Sequence, residues 1–159
     1  MNQSLIEAIR NLDEVARAAG VPNIFQPGLA KEFVIASALG HKVLTDKRGP
    51  DAITPDGKLC EYLSMLEGNP AQIDRMYASP PEKLERGLER ITRNDLIYLA
   101  VFSREAQTQV LRVYDLDKDK VLASAREQLR RYKIPIGRLH FTEEFGSTCG
   151  KLVFVAEKV

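Results

Sequence analysis

A chain of 159 residues, 44% hydrophobic and 28% charged, is long enough to bury one sizeable core and has the composition of an ordinary soluble protein. A formal net charge of +1 excludes a global basic field of the histone kind, although a local patch is enough to neutralise phosphates. No apolar run is long enough to span a membrane, the acidic amphipathic start is wrong for a secretory signal, and two cysteines without metal-type spacing make no disulfide framework, so a reducing cytoplasm is the expected home.

Ser4 can cap a helix running to about Ala19, with Leu5, Ile6, Ile9, Leu12, Val15 and Ala16 at helical spacing and Gly20 as its stop. After a loop holding Pro22 and Pro27, residues 28–39 read as a second helix ended by Gly40. The period then changes. "HKVLT" (41–45) and "DAIT" (51–54) read as short strands, and Pro55-Asp56-Gly57 is turn chemistry. "KLCEYLSML" (58–66) returns as a third strand, with Leu59, Glu61 and Leu63 on one face and Cys60, Tyr62 and Ser64 on the other.

"NPAQIDRMYASPP" (69–81) reads as a long polar loop, or as a short helix that turns Ile73 and Met76 inward. Ser79-Pro80-Pro81 and Glu82 open a third helix that carries Leu84, Leu88 and Ile91 and ends near Arg93-Asn94. "LIYLAVF" (96–102) has the pattern of a strand buried on both faces, and "VLRVYDL" (110–116) gives another. A helix follows from about Asp117, the Gly-Ser-Thr-Cys-Gly run at 146–150 reads as a turn, and "KLVFVAE" (151–157) closes as a strand. The expected fold is α/β: a single domain over 1–159 with a helix over 1–20, a central mixed sheet flanked by helices in an αβββαβ core, and an extra C-terminal β-α-β.

Asp51 and Glu61 stand ten residues apart on either side of the turn. Two readings are open: a surface hairpin with solvated carboxylates, or an acid pair meeting across adjacent strands. A converging pair suits Mg²⁺, a hard cation that takes one or two protein carboxylates and keeps waters for a substrate phosphate. Such an ion activates water and offsets charge on a phosphodiester. Glu32 could join as an outer carboxylate or stay solvated.

Around the pair, Lys47 and Arg48 flank the Asp51 loop as candidate phosphate contacts. In the 69–81 segment, Gln72 matches an adenine edge and Arg75 a guanine edge, with an Asp74–Arg75 surface pair as the alternative. Arg90 and Arg93 end the third helix, where the dipole alone favours cations. The basic stretch 126–138 reads equally well as a solvated helix end, and His41 and His140, without ligand spacing, read as structural. No GxGxxG or Walker loop is present, and "DLDKDK" lacks the spacing of a calcium loop.

The ordered set in residues 18–64, "AAGVPNIFQPGLAKEFVIASALGHKVLTDKRGPDAITPDGKLCEYLS", resembles the small homodimeric type II restriction endonucleases of the PD-(D/E)xK nuclease superfamily. The likeness lies in the "IFQ" entry, a helix, a short strand ending in a basic-Gly loop, "PDA", a Gly turn and an acid-bearing strand. It implies Asp51 and Glu61 as the two metal ligands and Mg²⁺, with Mn²⁺ as a substitute. It also implies hydrolysis of double-stranded DNA to 5′-phosphate and 3′-hydroxyl ends. A palindromic site calls for a two-fold symmetric reader, hence a homodimer, for which the first helix is a candidate interface.

The family's lysine comes two residues after the second acid, where this chain has Leu63. Leucine cannot orient a water or stabilise negative charge. The candidates to stand in are Ser64 through a strand bulge, Lys58 if the strand is irregular near the turn, and Lys42 or Lys47 from the neighbouring strand or loop. Retention of both acids favours an enzyme. Leu63 favours a catalytically degenerate DNA-binding protein of the same fold. A structure-selective repair or junction nuclease and a protein-interaction domain are further alternatives.

Overall fold

The computed structural model of the chain describes residues 2–46 and 48–157. Their order is helix α1 (Asn2–Ala18), helix α2 (Leu29–Leu39), strands β1 (Lys42–Val43), β2 (Ala52–Ile53), β3 (Leu59–Leu66) and β4 (Ala71–Tyr77), and helix α3 (Pro81–Thr92). Strands β5 (Leu96–Phe102) and β6 (Val110–Leu116), helix α4 (Lys118–Arg130), strand β7 (Ile136–Phe141), helix α5 (Glu143–Cys149) and strand β8 (Gly150–Val155) complete it. The local signals explain the boundaries. Gly40 ends α2 in the left-handed region at φ 70, its N–H donating to the Ala36 carbonyl. Pro81 opens α3, where no amide donor is needed. The Asp117 carboxylate caps α4 by accepting from the Asp119 and Lys120 amides.

Six strands form one sheet in the order β1-β2-β3-β5-β6-β8. The central β3–β5 pair is parallel and its neighbours are antiparallel. Since β5 runs beside β3 in the same direction, the intervening chain must cross over the sheet, and α3 makes that crossing. The expected burial of β5 on both faces holds: Ile97, Leu99 and Val101 join the core under α3 and α4, while Tyr98, Ala100 and Phe102 join the core under α2. The faces expected for β3 hold in the same way, Leu63 lying on the α3 side and Cys60 and Tyr62 on the α2 side.

Three expectations need correction. Residues 71–77 are neither loop nor helix but strand β4, and residues 136–141 form a strand that the pattern did not announce. These two pair antiparallel as a separate ribbon, with Gln72 opposite His140 and Ile73 opposite Leu139. A bulge between Ile73 and Met76, with Arg75 at φ 57, breaks the two-residue alternation and disguises the strand. The third correction is the 146–150 run, most of which belongs to helix α5.

Ala71, Ile73, Met76, Leu139 and Phe141 turn the ribbon's inner face into the α3–α4 core. Helix α1 buries only Ala16 and exposes its apolar stripe, with Leu5 at 62% and Val15 at 59%. Among the described residues no helix is long and apolar enough to cross a membrane.

Because Leu139 is fully buried on the ribbon's inner face, Leu139→Ala should cost about 2–5 kcal/mol by chemical denaturation. Arg138→Ala, on the exposed face, should change stability by less than about 1 kcal/mol. Equal effects would refute the packing of the ribbon against the core.

Candidate functional site

Strand β2 is two residues long, and its ladder with β3 ends at the pairing of Ala52 with Cys60. The chain just before it carries the ladder one step further. The Asp51 amide donates to the Cys60 carbonyl at 2.9 Å, and the Asp51 carbonyl accepts from the Leu44 amide at 2.8 Å. At the next rung a side chain replaces the backbone: the Tyr62 amide donates to Asp51 Oδ2 at 2.8 Å. The Asp51 carboxylate is thereby fastened to the strand that carries Glu61.

Glu61 points to the α3 side of the sheet and is 1% exposed. A carboxylate without water needs partners. Arg90 Nε donates to Glu61 Oε1 at 2.8 Å, and Asn94 Nδ2, which also donates to the Arg90 carbonyl at 2.8 Å, lies 3.4 Å from Oε2. Burial raises the Glu61 pKa from 4.5 to about 7; the negative charge of Asp51 adds to the rise, and the Arg90 guanidinium opposes it.

Asp51 and Glu61 border one cavity of about 260 Å³, together with Glu32 and Lys31 of α2, Ser64, Gln72, Arg90 and Arg93. The donor set fits a hard cation. Asp51 and Glu61 both offer carboxylate oxygens to the cavity, with the Glu32 carboxylate also on its lining, and Glu61 is so desolvated that the charge of Asp51 is felt there. The fit is that of a two-carboxylate site: among the described residues no group of three or more His, Cys, Asp or Glu side chains is arranged to hold a metal.

The other expected site residues fall in several places. Ser64 lies at the cavity and Leu63 lines it from the hydrophobic core, whereas Lys58 stands at the exposed turn with its ammonium 3.4 Å from Asp56. Arg48 is exposed in the loop before Asp51, and its carbonyl, with that of Gly49, accepts from Arg93. Lys47 lies outside the described residues. Gln72 reaches the cavity of Asp51 and Glu61, but Arg75 is not among its lining residues. Arg75 belongs to a second, open concavity on the ribbon, beside Tyr132, Arg138 and His140.

Arg138 pairs with Asp74, so the Asp74–Arg75 pair is replaced by a cross-strand one. His140 is exposed on the ribbon, and His41 has its Nδ1 2.8 Å from the Tyr62 hydroxyl. Sequence reasoning missed Lys31 at the cavity and the Arg90–Glu61 pair. Only the i, i+4 spacing of Arg90 and Asn94 hinted that both could face one neighbour.

A carboxyl whose native pKa is raised holds a proton that the unfolded chain has already lost. Stability of the metal-free protein therefore falls as pH rises between 4.5 and about 7 and levels off above. In chelator, the melting temperature of the wild type relative to Glu61→Gln should drop between about pH 5 and about pH 8. A pH-independent difference would show that Glu61 does not titrate in that interval. Neither models of known protein families nor curated proteins give a match to this chain.

Proposed function

We propose that this chain is a Mg²⁺-dependent, site-specific endonuclease of double-stranded DNA, of the type II restriction class, with Mn²⁺ able to substitute. The observation that carries the reading is the Asp51–Glu61 pair: two carboxylates from adjacent strands on one cavity, the second almost fully buried. A pure binding protein gains nothing from setting two anions beside a phosphate. A divalent ion held by Asp51 and Glu61 would supply an activated water and offset charge on the phosphodiester. The protein's own groups do the rest. The Tyr62 amide fixes the Asp51 carboxylate, Asn94 and Arg90 fix Glu61, and Ser64 offers a hydroxyl for positioning water.

The duplex would meet the outer face of the β4–β7 ribbon. A two-stranded ribbon fits a major groove, and this one presents Gln72, Arg75, Arg138 and His140, with Gln72 nearest the acids. Arg48, exposed in the loop before Asp51, would take a phosphate, a part the sequence also offers Lys47. The unpartnered stripe of α1, with Leu5, Ile9 and Leu12 exposed, supports a homodimer in which this helix meets its copy.

A second reading is favoured by two specific observations. Leu63 fills the usual lysine position with core packing, and Glu61 already has a cationic partner. On that reading the chain binds DNA and cuts nothing.

Incubation of the purified protein with plasmid and phage DNA should give discrete bands with Mg²⁺ or Mn²⁺ and none in chelator. Asp51→Ala or Glu61→Ala should reduce cutting by at least about a hundredfold. Binding without cleavage under both metals would transfer the case to the inert reader. By light scattering, the wild type should be a dimer at micromolar concentration and Ile9→Glu/Leu12→Glu a folded monomer. A wild-type monomer would remove the symmetric arrangement.

A further inference from the structure

Leu63 leaves the site short of the positive charge that a lysine two residues after the second acid would bring. Four cationic side chains of the described residues bear on the gap, and three are occupied elsewhere. Lys58 stays at the turn with Asp56. The Arg93 guanidinium donates to the carbonyls of Arg48, at 2.5 Å, and Gly49, at 2.8 Å, holding the Asp51 loop. Lys31 rests its ammonium 5.1 Å above the centre of the Phe102 ring. Of these four, Arg90 is the one whose guanidinium donates to Glu61, at 2.8 Å.

We propose that Arg90 is an exchangeable counter-ion. While no divalent cation is bound, its guanidinium holds the Glu61 carboxylate; when a cation takes that carboxylate, the guanidinium passes to a phosphate of the bound DNA. This inference rests on the metal-dependent reading of the same cavity. Three observations carry it.

Glu61 is 1% exposed, so its charge cannot be left bare between cations, and a resident partner is needed. The Arg90 side chain is 50% exposed, and the buried face of α3 is made by Leu84, Leu88 and Ile91. Its arm can therefore swing without disturbing the core. Asn94 Nδ2 lies 3.4 Å from Glu61 Oε2, on the oxygen that the Arg90 guanidinium does not hold, so the carboxylate has a second anchor that does not depend on the guanidinium.

A guanidinium and a divalent ion compete for one desolvated carboxylate, because their mutual repulsion is weakly screened there. A guanidinium fork also matches phosphate oxygens as well as it matches carboxylate. Arg90 is permanently charged, so its part is electrostatic and it moves no proton.

The exchange predicts effects of opposite sign from one substitution. By calorimetry with Ca²⁺ and no DNA, near pH 8, Arg90→Gln should bind the ion at least about fivefold more tightly than the wild type. In saturating Ca²⁺ and at fixed salt, the same variant should bind a short mixed-sequence DNA duplex at least about tenfold more weakly. Arg90→Lys should lie between the two on both measures, and it decides alone if Arg90→Gln fails to fold.

Any other combination, whether changes of the same sign or no change in either affinity, overturns the exchange. Absence of Ca²⁺ binding in wild type and variant overturns both the exchange and the metal site. Opposite signs in a wild type that cleaves no DNA with Mg²⁺ or Mn²⁺ sustain the exchange and remove only the nuclease reading.

Discussion

A carboxylate almost sealed from water governs the edge of this fold. Placing Glu61 under α3 costs free energy that an apolar residue of similar volume would not incur. The surroundings offset that cost only in part. Arg90 and Asn94 supply hydrogen bonds, but burial and the neighbouring Asp51 still hold the carboxyl well above the ordinary glutamate range. A group kept in such a state, facing a cavity and beside a second acid, is poorly explained by stability alone.

The second acid is held by a different device. Asp51 precedes β2, and its side chain takes the place that a carbonyl would occupy had the strand continued along β3. A short strand thus becomes useful by stopping early. The β2 ladder ends there, and the Glu61–Ser64 stretch of β3 lines the cavity beside Asp51. The ribbon of β4 and β7 borders the same opening through Gln72 and Ile73, so a duplex engaging the ribbon would come to the acids from the solvent side.

Much of this was legible in the chain because local rules govern it. Gly40, Pro81 and Asp117 mark helix ends through backbone chemistry, and "LIYLAVF" declares a central strand through its unbroken apolar run. Spacing about a turn singled out Asp51 and Glu61 but left a solvated hairpin equally open, whereas alternation alone put Glu61 on the face opposite Tyr62. The failures have equally definite causes. In β4 a bulge displaces Arg75 and breaks the period-two signal, leaving "QIDRM" with the look of a polar loop. In β7 the pattern IGRLHF spends one of its inward positions on Gly137, too small to register as apolar periodicity. The Arg90–Glu61 pair joins residues 29 positions apart on different elements, and nothing local in either segment announces such a contact.

One consequence follows from the brevity of β1 and β2. Each has two residues, so the arm from Lys42 to Ile53 is tied to the body by few main-chain bonds, in contrast to the seven-residue register of β3 with β5. Half of the acid pair therefore rides on a strand with a seven-residue parallel register, and half on an arm joined to it by short ladders and by the bond from the Tyr62 amide to the Asp51 carboxylate. Their spacing can be retuned by altering the arm, through the length or composition of the 44–50 connection, without touching a residue of the interior.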